Sequence, residues 1–268
     1  MSKVICITGI SSGFGKTIAE LLAEKGFRVY GISRKIGDEP TDYTALQGDV
    51  TDPEQIQTVI DHILEREGRL DVLINNAGMG IGGSVEEASP EEIRVQMDTN
   101  FLGSVNMIRA ALPAMRQQGE GLIINISSIG GLMGLPFQGF YSASKYAIEG
   151  LSEALAMEVR QFRIKVVLVE PGDFSTGFTA NRKIISRAYN GSPYEDQFDR
   201  SLAIIEKDEK GGLHPRKLAA KVLQIVQSKH PAPRYVVSTL EQKLAVLLKK
   251  LLPSAWMASI LRSHYGIR

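Results

Sequence analysis

Residues 4–15 read V-I-C-I-T-G-I-S-S-G-F-G. The apolar run Val4–Thr8 is typical of a buried parallel strand, and three glycines follow it, Gly9, Gly13 and Gly15. A helical pattern begins at the third glycine. Glycines permit a tight turn and the close approach of a backbone, and the N-terminus of the following helix favours an anion such as pyrophosphate. The stretch therefore predicts a dinucleotide-binding loop, which also includes Ile10, Ser11, Ser12 and Phe14.

The same loop has a second interpretation as the phosphate loop of an NTPase. Gly15-Lys16-Thr17 resembles the end of a Walker A motif, which requires another glycine five residues before its last glycine. That position holds Ile10, and no strand that ends in a clear Walker B aspartate follows. We therefore disfavour the NTPase interpretation.

Short apolar runs alternate with helical patterns along the rest of the chain. The strand candidates lack strict polar alternation, as expected for parallel strands buried on both faces. Asp52-Pro53-Glu54 and Ser89-Pro90-Glu91 each place a capping residue before a proline suited to the first turn of a helix. This order predicts one α/β domain with a doubly wound parallel sheet. The predicted strands are Val4–Thr8, Arg28–Ser33, Ala45–Val50, Val72–Asn75, Leu122–Ile126, Val166–Val169 and Tyr235–Ser238.

Composition excludes several classes of protein. The 268 residues carry a formal net charge of +1, which argues against a nucleic-acid partner. Cys6 is the only cysteine, so neither an internal disulfide nor a cysteine zinc cluster is expected. The four histidines are scattered, so no metal site is expected. Neither a secretory leader nor an integral membrane segment is recognisable, and we expect a soluble cytoplasmic protein.

The end of the second predicted strand indicates which dinucleotide binds. An acidic residue there would hold a ribose 2′-hydroxyl, but this chain has Ser33, followed by Arg34 and Lys35. An arginine can grip a 2′-phosphate with paired donors, so we predict NADP(H) and assign Arg34 to the site. Lys35 fits equally well as a solvated loop charge. Asp49 could accept a hydrogen bond from the adenine amino group, although a turn-capping role is the more frequent one for such a residue.

A third pattern concerns proton transfer. Tyr141 and Lys145 are four residues apart on a predicted helix, so they share one face. A nearby ammonium favours phenolate and would draw the pKa of a tyrosine toward the working range of a base. Ser128 follows a predicted strand, where its hydroxyl could bond a substrate carbonyl. The alternatives are a solvated helix face for the pair and a turn or cap for the serine.

Taken in order, these motifs resemble the short-chain dehydrogenase/reductase family. The motifs are Thr8-Gly9-x3-Gly13-x-Gly15, Asn75-Asn76-Ala77-Gly78, Ser128, Tyr141-x3-Lys145 and Pro171-Gly172. The resemblance spans about residues 3–239 and is strongest toward hydroxysteroid and retinol dehydrogenases that prefer NADP. It implies a Rossmann-type sheet of about seven strands, usually in a homodimer or homotetramer.

The resemblance also implies roles for individual residues. Tyr141 would be the general acid/base, Lys145 would lower its pKa and hold the nicotinamide ribose, and Ser128 would orient the carbonyl. Asn100 would support a proton relay through water, and Thr176 would contact the nicotinamide carboxamide. The other residues assigned to the cofactor are Val50, Asn76, Ala77, Gly78, Pro171, Gly172 and Phe174.

The expected function is hydride transfer between NADP(H) and a small-molecule alcohol or carbonyl compound, with an apolar substrate favoured. The alternative is a catalytically silent NADP(H)-binding regulator on the same fold. Such a regulator would typically lose the Tyr141–Lys145 pair, which this chain retains.

Two regions lie outside the motifs. Within the catalytic domain, residues 1–240, the segment 177–213 mixes aromatic, aliphatic and charged residues without a clear strand, and we predict a substrate lid. Residues 241–268 form a predicted helical extension. It carries an apolar stripe that we expect to be buried by packing on the cleft or on a partner subunit; a membrane-surface helix is the alternative. The stripe consists of Leu244, Leu247, Leu248, Leu251 and Leu252.

Overall fold

The computed structural model describes residues 2–37 and 40–267. A parallel sheet of seven strands runs through its centre in the order β3-β2-β1-β4-β6-β7-β9, and β5 and β8 form a separate two-stranded pair. The predicted doubly wound sheet is therefore confirmed. The strands are β1 Val4–Thr8, β2 Arg28–Ser33, β3 Thr44–Gln47, β4 Val72–Asn75, β5 Ile81–Gly82, β6 Gly121–Ile126, β7 Ile164–Pro171, β8 Lys183–Ile184 and β9 Arg234–Val237.

Helices cover both faces of the sheet. The Asp52 carboxylate accepts hydrogen bonds from the backbone N–H groups of Glu54 and Gln55, and Ser89 forms a capping box with Glu92, so both predicted helix starts are confirmed. A π-helical turn, Asp98–Leu102, joins two of the helices. The helices are α1 Gly13–Glu24, α2 Pro53–Glu67, α3 Pro90–Met97, α4 Gly103–Gln118, α5 Gly139–Glu158, α6 Glu195–Lys210, α7 Pro215–Gln227, α8 Leu240–Leu251 and α9 Ser254–His264.

The first strand shows why the sheet is apolar on both sides. Successive side chains of β1 alternate between two separate cores: Val4 and Cys6 pack with the α2–α4 side, and Ile5 and Ile7 pack with the α1–α7 side. All four side chains are buried. A strand buried on both faces has no polar positions, which explains the unbroken apolar run in the sequence.

The third strand is shorter than predicted. It ends at Gln47 rather than Val50 because the chain turns at Asp49, whose Oδ1 accepts hydrogen bonds from the backbone N–H and the hydroxyl of Thr51. This turn leads directly into the capping residue of α2.

The segment 177–213 is more ordered than its sequence indicates. It contains the short strand β8, which pairs with β5, and the whole of helix α6. Ile185 and Phe198 are buried against Ile81, so the segment has a small core of its own. The expectation of a segment without a strand was wrong, because this pairing joins parts of the chain about a hundred residues apart.

The C-terminal extension forms two helices, and within the single chain most of its stripe is exposed. Val246 and Met257 are buried, whereas Leu244, Leu247 and Leu251 are exposed and Leu248 and Leu252 are half-buried. The helices pack through a different, narrower face. Among the residues that the structure describes, none of the helices combines the length and the apolar character that a membrane span requires.

Candidate active site

The loops that follow β1, β4, β6 and β7 meet at one edge of the sheet, which is where ligands bind in open α/β folds. Thr8, the last residue of β1, joins two of these loops. Its Oγ1 accepts hydrogen bonds from the backbone N–H groups of Asn76, at 3.0 Å, and Ala77, at 2.9 Å. In return the Asn76 amide donates to the Thr8 carbonyl at 2.8 Å. The glycine loop is thus fixed to the Asn-Asn-Ala-Gly segment after β4.

The glycine loop leaves space that side chains would fill. Gly9 has φ +77° and Gly13 has φ +58°, a left-handed conformation that favours glycine. A Cβ on Gly15 would lie 2.6 Å from Asn76 Nδ2 and would overlap the Gly9 carbonyl. Without side chains at these glycines, the loop backbone is accessible and lies close to the N-terminus of α1. This arrangement fits a pyrophosphate.

The other predicted loop residues divide into two groups. Ser11 and Ser12 are exposed, so they are available to a ligand. Ile10 is buried against Gly31, and the ring of Phe14 packs edge-on against buried Phe174, with centroids 4.9 Å apart. Both apolar side chains therefore pack against the protein and support the loop.

The predicted adenosine end lies beside β2 and β3. Ser33 is buried at the end of β2, and Arg34, the next residue, is exposed. Asp49 forms the turn described above, as its alternative interpretation predicts. Val50 is buried against Gly103, and its carbonyl accepts a hydrogen bond from the Asn106 amide at 2.9 Å.

The predicted proton-transfer residues come together in the structure. Ser128 lies just after β6, and Tyr141 and Lys145 lie on α5. The Lys145 ammonium lies 5.8 Å from the centroid of the Tyr141 ring and donates a hydrogen bond to the Ile126 carbonyl at 2.9 Å. Ser128 hydrogen-bonds Tyr141 and also accepts from the backbone N–H of Gly130 at 3.0 Å, so it caps a short turn as well.

The pKa of Tyr141 is raised in this structure, whereas the family resemblance implies that Lys145 lowers it. Burial raises the pKa of Tyr141 to about 12, and the hydrogen bond with Ser128 opposes this rise only in part. Burial lowers the pKa of Lys145 to about 8, although the charge of Glu149 opposes that change. Desolvation is the largest influence on both groups, and at neutral pH the phenol is protonated.

Asn100 lies in the π-helical turn and is buried. Its Oδ1 accepts from the Met79 backbone N–H at 2.8 Å, and its Nδ2 donates to the Met79 carbonyl and to Ser144 Oγ, each at 3.0 Å. Ser144 in turn donates to the Tyr141 carbonyl at 2.7 Å. The amide therefore connects the loop after β4 with the helix that carries Tyr141. The widened turn is a feature frequent at functional sites.

The remaining predicted residues line the neighbouring strand ends. Gly78 is exposed, and a Cβ there would lie 3.4 Å from Asn100 Oδ1. Pro171 is buried at the end of β7, and Gly172 follows it, where any side chain would overlap Gln242 of α8. Thr176 lies opposite Gly13, and its hydroxyl accepts from the Phe178 backbone N–H at 3.2 Å.

Arg182, Glu209 and Asp173 form a polar cluster beside Tyr141 that the sequence did not reveal. The Phe178 ring lies between Tyr141 and Arg182, with its centroid 5.7 Å from the tyrosine centroid and 5.7 Å from the guanidinium carbon. Arg182, whose side chain is 3% exposed, forms an ion pair with Glu209. The negative charges of Glu209 and Asp173 reach Tyr141 and raise its pKa further.

This cluster holds buried polar atoms that the protein itself does not satisfy. Nε and Nη1 of Arg182 are buried and have no hydrogen-bond partner among the residues that the structure describes. Burial, together with the nearby charge of Glu209, raises the pKa of Asp173 to about 6. In the sequence, Arg182 and Glu209 are two of many charged residues in the segment 177–213, and the sequence does not indicate what they contact.

Comparison with known proteins gives the family. A family model described as short chain dehydrogenase matches residues 3–184. The chain belongs to the short-chain dehydrogenase/reductase family. A solved short-chain dehydrogenase from Streptomyces avermitilis superposes with a TM-score of 0.80 at 33% identity, over 97% of this chain and 96% of that one. This short-chain dehydrogenase/reductase is therefore an oxidoreductase, which favours the enzyme over the silent regulator.

Two of the curated relatives are named as reductases of a ketone. A 3-ketodihydrosphingosine reductase of Bacteroides thetaiotaomicron is 53% identical over 266 residues, covering 99% of both chains. An NADPH-dependent 3-dehydrocapnine reductase of Ornithobacterium rhinotracheale is 33% identical over 245 residues, covering 87% of both chains.

Proposed function

We propose that this enzyme uses NADPH to reduce the ketone of a long-chain α-amino ketone such as 3-ketodihydrosphingosine. The observation that carries the proposal is a protonated phenol, Tyr141, beside a buried guanidinium–carboxylate pair, Arg182 and Glu209. The names of both relatives denote α-amino ketones with a long alkyl chain, and one of these relatives covers nearly the whole chain at 53% identity.

The proton for the reduction comes from Tyr141. The phenol donates it to the ketone oxygen as that oxygen becomes an alcohol, and the Ser128 hydroxyl stabilises the developing charge with a hydrogen bond. A pKa near 12 keeps the phenol protonated at neutral pH, which is the form that can donate a proton to the ketone oxygen. Lys145 has N–H groups beyond the one bonded to Ile126 and would hold the nicotinamide ribose. Asn100 positions the helix that carries Tyr141.

The dinucleotide supplies the hydride when it is bound. The open backbone at Gly9, Gly13 and Gly15 supports the pyrophosphate assignment, and the exposed Arg34 after β2 supports a 2′-phosphate partner. Val50 and the residues at the other strand ends keep their assigned roles in this proposal, and Asp49 is proposed to contact the adenine amino group in addition to the turn that it forms.

The assignment of Arg34 to the 2′-phosphate can be tested by comparing its substitution with that of Lys35. Charge-assisted hydrogen bonds contribute about 1.5–3 kcal/mol, so Arg34→Ala should lower kcat/KM for NADPH by roughly 10- to 100-fold. NADH should be used almost equally well by the variant and the parent. Lys35→Ala is the matched control and should change little. An Arg34→Ala enzyme that keeps its preference for NADPH over NADH would contradict the assignment.

The polar cluster gives the substrate its orientation. Glu209 and Asp173 place negative charge near Tyr141, where the ammonium of an α-amino ketone would lie next to the reacting carbonyl. The unsatisfied N–H groups of Arg182 suit an oxygen of the same head group. We propose that residues 177–213, which carry Phe178 and Arg182, form the substrate lid.

The cluster can be tested with two ketones that differ only in the amino group. Glu209→Gln should lower kcat/KM for the amino ketone by at least about tenfold and leave the ketone without an amine nearly unchanged. Glu206→Gln, on the same helix, is the control. Melting temperatures are measured in parallel because the substitution removes the partner of Arg182. If kcat/KM fell equally for both ketones, Glu209 would not be the residue that binds the substrate ammonium.

We also propose a homodimer or homotetramer in solution. Met157 and Tyr146, both on α5, are exposed apolar side chains that suit such an interface. Light scattering coupled to size exclusion should give two or four chains, and Met157→Glu should lower that number. A monomer at micromolar concentration would refute the proposed homodimer or homotetramer.

A further inference from the structure

We propose that the outer face of α8 and α9 binds the surface of an anionic lipid bilayer. Large exposed apolar side chains recur along α8 at helical spacing, and two more are on α9; Leu240 is 83% and Trp256 65% exposed. We call this set the outer stripe; it consists of Leu240, Leu244, Leu247, Leu251, Trp256 and Ile260.

The two helices have a separate face that attaches them to the protein. Val246 and Met257 are buried against Met133, with Leu135 beside them. Gln242 donates a hydrogen bond to Asp173 at 2.5 Å, and Thr239 caps α8 in a capping box. These contacts hold both helices on the rest of the protein. The outer stripe therefore belongs to an ordered part of the surface.

The charge of this region selects an anionic surface. Residues 240–268 contain five basic residues and one acidic residue, Glu241, although the whole chain has a net charge of only +1. Lys243 and Lys250 are exposed on α8 and Arg262 on α9. A groove lined by Lys217, Lys221 and Lys243 adjoins Leu240. Basic side chains beside an exposed apolar stripe are typical of helices that lie in a lipid interface.

The same charges argue against a second copy of this chain as the occupant. A two-fold interface brings the same patch of both subunits together, so each lysine would face the basic patch of its partner. Anionic headgroups instead neutralise those lysines while the leucines and the tryptophan enter the acyl boundary.

The helices that carry the outer stripe lie next to the candidate active site. The buried face of α8 and α9 packs on Ile129–Leu135, which directly follow Ser128, and Gln242 contacts Asp173 beside Tyr141. If the proposed function holds, docking would bring the cleft close to the bilayer in which a long-chain substrate resides. The docking itself does not depend on that function.

Trp256 makes the test direct because it is the only tryptophan in the chain. Intact protein is titrated with vesicles of phosphatidylcholine and phosphatidylglycerol, and its emission is recorded. We expect a blue shift, quenching by brominated acyl chains, and loss of both at about 0.5 M NaCl. Vesicles of phosphatidylcholine alone should produce a much smaller change.

The variant Leu247→Ser/Leu251→Ser removes two exposed side chains and leaves the buried face intact. It should reduce the vesicle-bound fraction by at least about tenfold in co-sedimentation. Val95→Ser, an exposed apolar position on α3, is the control and should bind like the parent. Activity on a water-soluble short-chain ketone should be unchanged in both variants, so a failure of docking is distinguishable from a failure of the proposed function.

Three results would overturn the proposal: no spectral change with anionic vesicles, equal binding by the double variant, or a blue shift that grows with protein concentration without lipid. The last result would show that a second copy covers the face.

Discussion

Thr8→Val tests how the glycine loop is held to the loop after β4. Valine has nearly the shape of threonine, but it removes the Oγ1 that accepts from Asn76 N at 3.0 Å and from Ala77 N at 2.9 Å. An unsatisfied buried N–H costs about 1–3 kcal/mol. Both N–H groups belong to half-buried residues, so the lower part of that range applies to each. We expect the free energy of unfolding to fall by about 2–3 kcal/mol in total.

The assay is urea unfolding followed by circular dichroism, with Thr8→Ser as the matched control. Serine keeps the acceptor and loses one buried methyl group, which costs about 1 kcal/mol. NADPH affinity should fall in Thr8→Val more than in Thr8→Ser, because the loop loses its attachment. If Thr8→Val is as stable as Thr8→Ser, or more stable, the two hydrogen bonds do not hold the loop as described.

The remaining predictions concern the phenol, a buried carboxyl group and a glycine. Because the pKa of Tyr141 is about 12, the phenolate fraction should rise about tenfold per pH unit. The rate of alcohol oxidation should therefore increase from about pH 7 to pH 10; a plateau near neutral pH would refute this. The pKa of Asp173 rises from 3.8 to about 6 on folding, so ionisation above that pH costs roughly 3 kcal/mol. This penalty is absent in acid and develops as the pH rises, so Asp173→Asn should stabilise the protein near pH 8 but little near pH 4; equal effects at both would contradict it. Gly15→Ala should abolish NADPH binding in calorimetry because its Cβ overlaps the Gly9 carbonyl, whereas Gly150→Ala, with open space around it, should gain up to about 1 kcal/mol of stability. Normal NADPH affinity in Gly15→Ala would show that the loop does not form the cradle.

The central fold could be predicted because its signals are local. The run Val4–Thr8 followed by Gly9, Gly13 and Gly15 specifies a buried strand and a tight turn within twelve residues. The spacing of Tyr141 and Lys145 likewise follows from one helix. Each of these depends on backbone periodicity, which is visible in a single sequence.

The polar cluster could not be predicted, because it depends on tertiary packing. Arg182 and Glu209 meet only when α6 folds back over the loop that carries Phe178. The pKa of Tyr141 is a further case, since burial has the largest effect on it and burial is not a property of the motif.

The C-terminal helices show a third limit. Amphipathic spacing indicates which residues share a face, but it does not indicate which face is covered. Leu244 and Leu247 are therefore recognisable as a stripe from the sequence, yet the protein buries Val246 instead.

The most direct test of the account is single-turnover reduction of 3-ketodihydrosphingosine with NADPH, in the parent enzyme and in Tyr141→Phe. We predict that NADPH absorbance falls in step with formation of the amino alcohol in the parent enzyme. Removal of a general acid costs about 10²- to 10⁴-fold, so Tyr141→Phe should be slower by that factor while it still binds NADPH. An amino ketone that the parent does not reduce, or reduction that survives in Tyr141→Phe at the parental rate, would contradict the account.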